Sequence, residues 1–375
     1  MENGSTGSSS HFQHLRDAAW EAIGDATVDS EQRVRHWKAW QDFCSGENID
    51  IYLEDSTRQQ QLDTLLAFAV SIRQGDYGNG AQVGVQSVET ALRHVGQKFV
   101  LDQRPDPRRS AAGQHNLDLP IQRLIKFYRD RDPAPRPQLA VPVSTIETIA
   151  KSYHMTPHHS AVADLVTIAF FFLLRVGEYT SPYRKRSKRT QPLRRRDVRL
   201  WKNGVLISHH ASLSTLLSAD GATIFLENQK NGKKGSTVHH EAIGTSICPV
   251  AALARRVHHL AAHSKESKLP LGTVFKTKRK RGAVSDRDIA TAVRWGALMD
   301  NLLEQGYTLD RVSSHSLRSG GAMALKLNGA DSETIMRVGR WTSLTYLTYI
   351  HTQISAIYSG LSAKMATKIV FHCVG

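Results

Sequence analysis

The most informative stretch of the chain is SHSLRSGGAMALKLNGADSETIMRVGRWTSLTYLTYI, residues 314–350. His315 and Arg318 are three residues apart at a predicted helix start, so both side chains lie on one face, one turn apart. A helix N-terminus with a histidine and an arginine beside it suits a phosphate group, because backbone N–H groups and positive charge converge there. Gly320 and Gly321 lower the helix propensity by about 1 kcal/mol each. They would allow another helix to approach this one closely.

The second half of the stretch contains one short helix and three aromatic residues. Gly329 is typical of a helix C-terminus, and hydrophobic spacing predicts a helix over Ser332–Val338. Trp341 follows that helix, and Tyr346 and Tyr349 come five and eight residues after the tryptophan. An indole N–H and two phenols thus follow a helix start that suits a phosphate.

Upstream and downstream, hydrophobic residues recur at three- and four-residue spacing, which predicts further amphipathic helices. In the first third of the chain a helix begins near Ser30, and others cover Gln59–Arg73, Val85–Phe99 and Leu119–Arg131. In the remainder, helices are predicted over Val143–Tyr153, Ser160–Glu178, Pro249–His263, Asp286–Gln305, Ser316–Asn328 and Ser343–Tyr358.

Extended patterns occur only in the middle of the chain. Val198–Ile207, Thr223–Lys230 and Ser236–His240 read as strands, and Asn231-Gly232 lies between two of them. Asn-Gly between extended runs is a strong hairpin signal. The predicted fold class is therefore mainly α with a small antiparallel β-sheet.

Composition divides the chain into four segments. Residues 1–29 begin with a Gly/Ser-rich run and are predicted to be disordered or loosely ordered. Residues 30–131 form an all-helical domain, 132–142 a proline-rich linker, and 143–375 a second domain that includes the sheet and a C-terminal tail.

Charge and cysteine content exclude several classes of protein. The chain has 375 residues, with 49 Lys+Arg against 34 Asp+Glu and a formal net charge of +15. No apolar run approaches the roughly 18 residues of a membrane span, and the polar N-terminus has no apolar signal core. Three widely separated cysteines do not make a disulfide framework or a cysteine-rich zinc module. The excess positive charge favours a polyanionic partner, nucleic acid first and an anionic membrane second.

The ordered set of motifs resembles the tyrosine recombinases, the DNA strand-exchange enzymes that include phage integrases. LLRVGEY at 173–179 resembles the helix with the first catalytic arginine, and ENQKNGKKG at 227–235 resembles the hairpin with the catalytic lysine. Gly-Arg-Trp at 339–341, with a Tyr-Ile pair at 349–350, is closest to cryptons and other eukaryotic mobile-element recombinases. The resemblance covers about residues 140–360. The catalytic residues that it implies are Arg175, Lys230, His315, Arg318, Trp341 and Tyr349, with Glu178 in support.

Alternatives remain at three of these positions. Lys233 and Lys234 are alternates to Lys230, and Tyr346 is an alternate to Tyr349. Many bacterial and phage members have the nucleophile nine residues after the His/Trp position, where this chain has an isoleucine and Tyr349 comes at eight. Taken singly, each residue has an ordinary structural interpretation, and a surface salt bridge is an equally good interpretation of Glu178.

The chemistry that the resemblance implies agrees with these residue types. Two guanidiniums, those of Arg175 and Arg318, clamp the phosphate oxygens. His315 donates a hydrogen bond or manages the tyrosine proton, and Trp341 donates from its indole N–H. Tyr349 attacks phosphorus as a phenolate, and Lys230 protonates the departing 5′ hydroxyl. The transesterification needs neither ATP nor a metal, so no cofactor is expected.

Two basic runs, 184–199 and 276–281, predict contacts with the DNA backbone, and such contacts make binding salt-dependent. The predicted contact residues are Arg184, Lys185, Arg186, Lys188, Arg189, Arg194, Arg195, Arg196, Lys276, Lys278, Arg279, Lys280 and Arg281. Solvated loops are the ordinary alternative. Four His-His pairs, at 158–159, 209–210, 239–240 and 258–259, lack zinc spacing.

The resemblance further implies double-stranded DNA as partner, a C-shaped clamp around it, and a synaptic tetramer in which helices near 355–367 contact a neighbouring subunit. No membrane partner is expected. The location is nuclear in a eukaryote and cytoplasmic otherwise. Two rival functions remain at this point: a domesticated DNA-binding protein without cleavage, and a type IB topoisomerase-like enzyme.

Overall fold

The computed structural model describes residues 10–26, 31–109, 116–134, 136, 138–180, 190–228, 234–275 and 281–350. The chain divides into two compact units, unit 1 over Met1–Pro135 and unit 2 over Arg136–Gly375. Each unit has its own hydrophobic core.

The regular structure of the described part of unit 1 is helical. Its helices are α1 (Ser10–Ala26), α2 (Glu31–Gly46), α3 (Arg58–Gln74), α4 (Val85–Leu101) and α5 (Leu119–Arg131). The core centres on Trp40, whose ring meets those of Phe68 and Phe99 edge to face, and each of the three residues is at most 2% exposed. Such aromatic pairs contribute about 0.5–1.5 kcal/mol beyond their buried area. The prediction of α5 is confirmed with the same bounds.

Helix α1 lies inside the segment predicted to be disordered or loosely ordered. It forms because Phe12, Leu15 and Trp20 follow helical spacing and the residues between them include good helix formers. Every side chain from residue 12 to residue 21 is exposed. Local propensity, rather than packing within the described residues, accounts for this helix.

Unit 2 combines seven α-helices, several short 3₁₀ helices and six strands in its described residues. The helices are α6 (Val143–Ser152), α7 (Pro157–Phe171), α8 (Leu213–Leu217), α9 (Pro249–His263), α10 (Asp286–Met299), α11 (His315–Leu327) and α12 (Ser332–Gly339). The strands are β1 (Val198–Lys202), β2 (Val205–Leu206), β3 (Gly221–Asn228), β4 (Lys234–Glu241), β5 (Thr273–Phe275) and β6 (Arg281–Ala283). Helix α7 is the centre of the core and packs against α6, α9, α10 and α11. The predicted fold class, mainly α with a small antiparallel sheet, is confirmed.

The larger sheet is antiparallel, with strand order β2-β1-β3-β4. Strand β3 pairs with β4 in a hairpin, and the register places Ile224 opposite Val238 on the core side and Phe225 opposite Thr237 on the exposed side. The tip of this hairpin, 229–233, lies outside the described residues. A second sheet, β5-β6, and helix α8 had no counterpart in the sequence prediction.

Helix α7 ends earlier than its sequence predicts. The apolar pattern predicts one helix over Ser160–Glu178, but the helix stops at Phe171. Leu173 adopts a left-handed backbone with φ 46°, and the N–H of Leu174 donates to the Ala169 carbonyl at 3.0 Å. This is the Schellman ending that usually requires glycine. The chain then continues as an extended residue, Arg175, and a single 3₁₀ turn.

The segment after α12 also differs from its prediction. A helix was predicted over Ser343–Tyr358, and the structure has a 3₁₀ helix over Leu344–Tyr349. The predicted subunit-contact helices near 355–367 lie outside the described residues.

Candidate functional site

The early end of α7 presents Arg175 beside a buried carboxylate. The backbone N–H of Arg175 donates to Glu178 Oε2 at 2.8 Å, and its Nη1 donates to Glu178 Oε1 at 3.1 Å. The Arg175 side chain is 23% exposed, whereas Glu178 is 0% exposed. Glu178 therefore does not form an ordinary surface salt bridge, which was the alternative interpretation from sequence.

A second arginine, which the sequence analysis gave no role, occupies the other side of Glu178. Arg340 Nη2 lies 2.8 Å from Glu178 Oε2, and the guanidinium also donates to the carbonyls of Phe172 at 3.0 Å and Leu173 at 3.2 Å. Burial lowers the pKa of Arg340, the Glu178 carboxylate opposes this shift, and Arg175 adds to it. The sequence signal for Arg340 was the Gly-Arg-Trp motif itself, in which the sequence analysis assigned a catalytic role only to the tryptophan.

Arg318 lies fully buried behind this pair. Its Nη1 donates to the Leu173 carbonyl and its Nη2 donates to the Gly339 carbonyl at 2.7 Å. The centre of the guanidinium lies 4.4 Å from the Trp341 ring centroid, within cation–π range. The Leu173 carbonyl therefore accepts hydrogen bonds from Arg318 and Arg340 together.

Two glycines make this close packing possible. A Cβ on Gly321 would fall against the Phe170 carbonyl of α7, and a Cβ on Gly339 would overlap the Trp341 ring. The prediction that the glycines of α11 allow close approach of another helix is confirmed at Gly321, whereas Gly320 faces the Val141 carbonyl, which precedes α6. Gly321 brings α11 against the end of α7, and this contact places Arg318 beside Leu173.

His315 begins α11 and its side chain is exposed. Its backbone N–H donates to Ser313 Oγ at 3.3 Å. The predicted helix start is confirmed, and Arg318 follows one turn later. The site thus has one exposed residue, His315, one partly exposed residue, Arg175, and a buried layer beneath them.

The two candidate tyrosines lie in the 3₁₀ helix after Trp341. Tyr346 is 3% exposed, its ring packs 6.3 Å from the Trp341 ring, and its hydroxyl lies 2.5 Å from Ser332 Oγ. The backbone of Tyr349 is part of the same helix, and its side chain lies outside the described residues. Tyr346 therefore has a structural position in a small apolar cluster with Leu173 and Ile335.

The candidate lysines lie at the tip of the β3-β4 hairpin. Lys230 and Lys233 fall outside the described residues, as does the side chain of Lys234. The hairpin itself is confirmed, and the choice among the three lysines stays a prediction.

The predicted backbone contacts divide into three groups. Arg194, Arg196 and Arg281 are described, reach solvent, and each pairs with a carboxylate of this chain. Arg195 is only 2% exposed and donates to the Lys265 carbonyl at 2.9 Å, so its side chain does not reach the surface and its contact with DNA stays a prediction. The 3₁₀ turn at 195–197 has two buried residues, Arg195 and Asp197, so the basic run faces solvent only in part. The other predicted residues lie outside the described ones: Arg184, Lys185, Arg186, Lys188, Arg189, Lys276, Lys278, Arg279 and Lys280.

Charge is distributed very unequally between the units. Residues 1–135 contain 15 Lys+Arg and 19 Asp+Glu, a formal net charge of −4, and residues 136–375 contain 34 and 15, a formal net charge of +19. A polyanion is therefore attracted by unit 2 and not by the net charge of unit 1.

In the described part of the chain no group of three or more His, Cys, Asp or Glu side chains has the geometry of a metal site. Among the described helices, none combines the length and the hydropathy that crossing a membrane requires.

Three solved structures to which the chain is similar are two recombinases and a transposon integrase. The XerH site-specific recombinase, in a post-cleavage complex with palindromic difH substrate, is 14% identical with a TM-score of 0.49, covering 85% of this chain and 75% of that one. The Tn1549 transposon integrase in complex with transposon right-end DNA is 10% identical with a TM-score of 0.49, covering 93% and 98%. The XerA recombinase is 14% identical with a TM-score of 0.38, covering 94% and 98%. No protein-family model and no curated protein sequence matches the chain. At these identities and TM-scores, function has to be inferred from the residues of this chain.

Proposed function

We propose that this protein is a site-specific DNA recombinase of the tyrosine type, which cuts and rejoins double-stranded DNA through a 3′-phosphotyrosine intermediate. The observation that supports this most is the convergence of residues from distant parts of the chain. Arg318 donates to the carbonyl of Leu173, two residues before Arg175, and stacks on Trp341. These are the residue types that a phosphodiester transesterification requires.

The proposed reaction exchanges one phosphate ester for another. The phenol oxygen of Tyr349 attacks phosphorus, the bond between phosphorus and the 5′ oxygen breaks, and a 3′-phosphotyrosine forms. The phenol proton passes to His315 or to solvent, and Lys230 supplies a proton to the 5′ oxygen. A 5′ hydroxyl of a second strand reverses these steps and releases the tyrosine, so the number of phosphodiester bonds is unchanged.

The buried hydroxyl of Tyr346 supports Tyr349 as the nucleophile. An attacking phenol must reach the phosphate, but Tyr346 is 3% exposed and its hydroxyl is bonded to Ser332. Its contact with Trp341 gives it a role in packing.

The charge of unit 2 supports DNA as the partner. A formal net charge of +19 on residues 136–375 draws the phosphate backbone to this unit. Arg194, Arg196 and Arg281 pair with Asp197, Glu227 or Glu266, and DNA phosphates would compete with these carboxylates.

One observation favours the alternative of a DNA-binding protein that does not cleave. Arg318 is 0% exposed, and two of its N–H groups already bond carbonyl oxygens. A phosphate reaches this guanidinium only after neighbouring groups move and these hydrogen bonds are exchanged. The recombinase proposal therefore includes a rearrangement around Arg318 when DNA binds.

Covalent trapping tests the proposed reaction. Nicked suicide duplexes from the flanks of the coding locus are incubated with the protein in EDTA and analysed on denaturing gels. We expect an adduct with the wild type and with Tyr346→Phe, the matched control, and none with Tyr349→Phe. Loss of the adduct only in Tyr346→Phe would show that Tyr346, and not Tyr349, is the nucleophile. Tight binding without any adduct would favour the binding-only alternative, and relaxation of plasmids without site preference would favour a topoisomerase.

We also propose a mobile-element origin, a synaptic tetramer on DNA and a nuclear location in a eukaryote. The tetramer is tested by sedimentation with and without a target duplex. Monomers under both conditions would contradict it.

A further inference from the structure

Two residues with left-handed backbones meet at one hydrogen bond in the site. Leu173 has φ 46° and Arg340 has φ 58°, and Arg340 Nη2 donates to the Leu173 carbonyl at 3.2 Å. Arg340 ends α12 in the position where glycine is the usual residue. A bulky leucine and an arginine in this conformation are costly, and such residues persist where the surrounding structure holds them in place.

The Arg340 side chain holds both ends of the segment from which Arg175 projects. It donates to the carbonyls of Phe172 and Leu173 before Arg175, and to the carboxylate of Glu178 after it. All three contacts lie between 2.8 and 3.2 Å. The planar guanidinium makes them together, which a lysine ammonium cannot reproduce with the same geometry.

Glu178 transmits this restraint to Arg175. Its Oε2 accepts from Arg340 and from the backbone N–H of Arg175, and its Oε1 accepts from Arg175 Nη1. Arg340 is 5% exposed, so it acts from behind the surface, whereas Arg175 reaches solvent. The buried guanidinium of Arg340 thus fixes the position of the partly exposed guanidinium of Arg175.

We propose that Arg340 is a positioning residue that sets Arg175 for contact with the scissile phosphate. This inference rests on the proposed recombinase function. Arg340 itself does not touch DNA. It sets the backbone that carries Arg175, and through Glu178 it sets the direction of that guanidinium.

The test compares DNA cleavage in variants of the full-length protein. In Arg340→Gly the side chain is removed and the left-handed backbone becomes favourable, so the end of α12 is preserved. Since a misplacement of about 1 Å can cost about 100-fold in rate, we expect adduct formation to slow by about 100-fold while the DNA dissociation constant stays within about twofold. Guanidinium ion at millimolar concentration should restore much of the rate, and sodium chloride at equal ionic strength should not.

A second pair of variants guards against loss of folding. Arg340→Met with Glu178→Gln removes both buried charges together, and Arg175, which loses its carboxylate, is 23% exposed and can be solvated. This protein should also bind DNA and cleave slowly. Arg337→Lys is the matched control, because Arg337 lies in the same helix and is 78% exposed. It should cleave at the wild-type rate.

The outcomes separate the inference from the proposed function. Wild-type adduct together with wild-type rates in Arg340→Gly, or in the double variant, would overturn the positioning role and leave the recombinase proposal intact. The positioning role would also be overturned if adduct formation by the variants slowed only in proportion to the fraction of folded protein and guanidinium ion did not restore it. No adduct from the wild type would refute the function and this inference with it.

Discussion

Replacing Gly321 by alanine tests the contact on which the site is built. A Cβ at this position would lie 3.3 Å from the Phe170 carbonyl carbon and closer to its oxygen, and ordinary contact begins near 3.4 Å. Both groups that it meets first, the Phe170 carbonyl and the Leu173 side chain, are buried. Helices α11 and α7 must therefore separate by about 1 Å to admit the methyl group.

The expected cost follows from two opposing terms. Overpacking of a buried contact costs about 1–3 kcal/mol, and the upper end applies here because backbone atoms form the obstacle. Alanine recovers about 1 kcal/mol of helix propensity. The net loss is about 2 kcal/mol, which for a unit of this size lowers the melting temperature by about 4–8 °C.

Calorimetry of the full chain measures this shift, and Gly296→Ala is the control. Gly296 lies within α10, and the groups nearest to a Cβ there would be the side chain of Ile149, at 2.6 Å, and that of Thr145. The gain in helix propensity is the same as for Gly321→Ala. The ends of side chains can adjust where a backbone carbonyl cannot, so we expect Gly296→Ala to lose less stability than Gly321→Ala. A Gly321→Ala protein as stable as the wild type, or less affected than Gly296→Ala, would refute the close packing of α11 on α7.

Three further predictions concern the site and its surroundings. Gly339→Ala should displace the Trp341 ring from Arg318 and slow adduct formation by about 10- to 100-fold, measured on the same suicide duplexes. The logarithm of DNA affinity should fall linearly with the logarithm of salt concentration, because phosphate contacts release counterions; an affinity independent of salt would contradict the charge argument. Burial, with Arg256 and His263 nearby, lowers the pKa of His259 to about 4. Since the unfolded chain binds this proton more readily, the free energy of unfolding should fall as pH decreases from about 6.5 toward 4. The fall should be roughly 1 kcal/mol at pH 5 after allowance for the partial exposure of His259. In urea unfolding, the stability of His259→Gln should depend less on pH than that of the wild type.

Much of the secondary structure followed from local patterns. Helices α5 and α9 have the bounds that the sequence predicts, because their hydrophobic spacing is regular and clear breaks flank them. The hairpin β3-β4 followed from Asn231-Gly232 in the same way. These elements depend on neighbours in sequence, which a pattern can report.

The site was only partly predictable, because its geometry depends on distant residues. The apolar run through Leu173 reads as continuous helix, and the left-handed turn is held by hydrogen bonds from Arg318 and Arg340. Arg195 lies in a basic run that reads as solvated, and its burial depends on a carbonyl seventy residues later. Tertiary contacts decided these cases, and no local signal marked them.

The shared carbonyl of Leu173 has a consequence for how this sequence can vary. Arg318 and Arg340 donate to the same oxygen, so a replacement at either position changes which residues the other position can accept. Neighbouring positions in one network do not vary additively. Where selection acts on the folded protein, the two positions should therefore vary together, since the effect of losing one arginine depends on whether the other is still present.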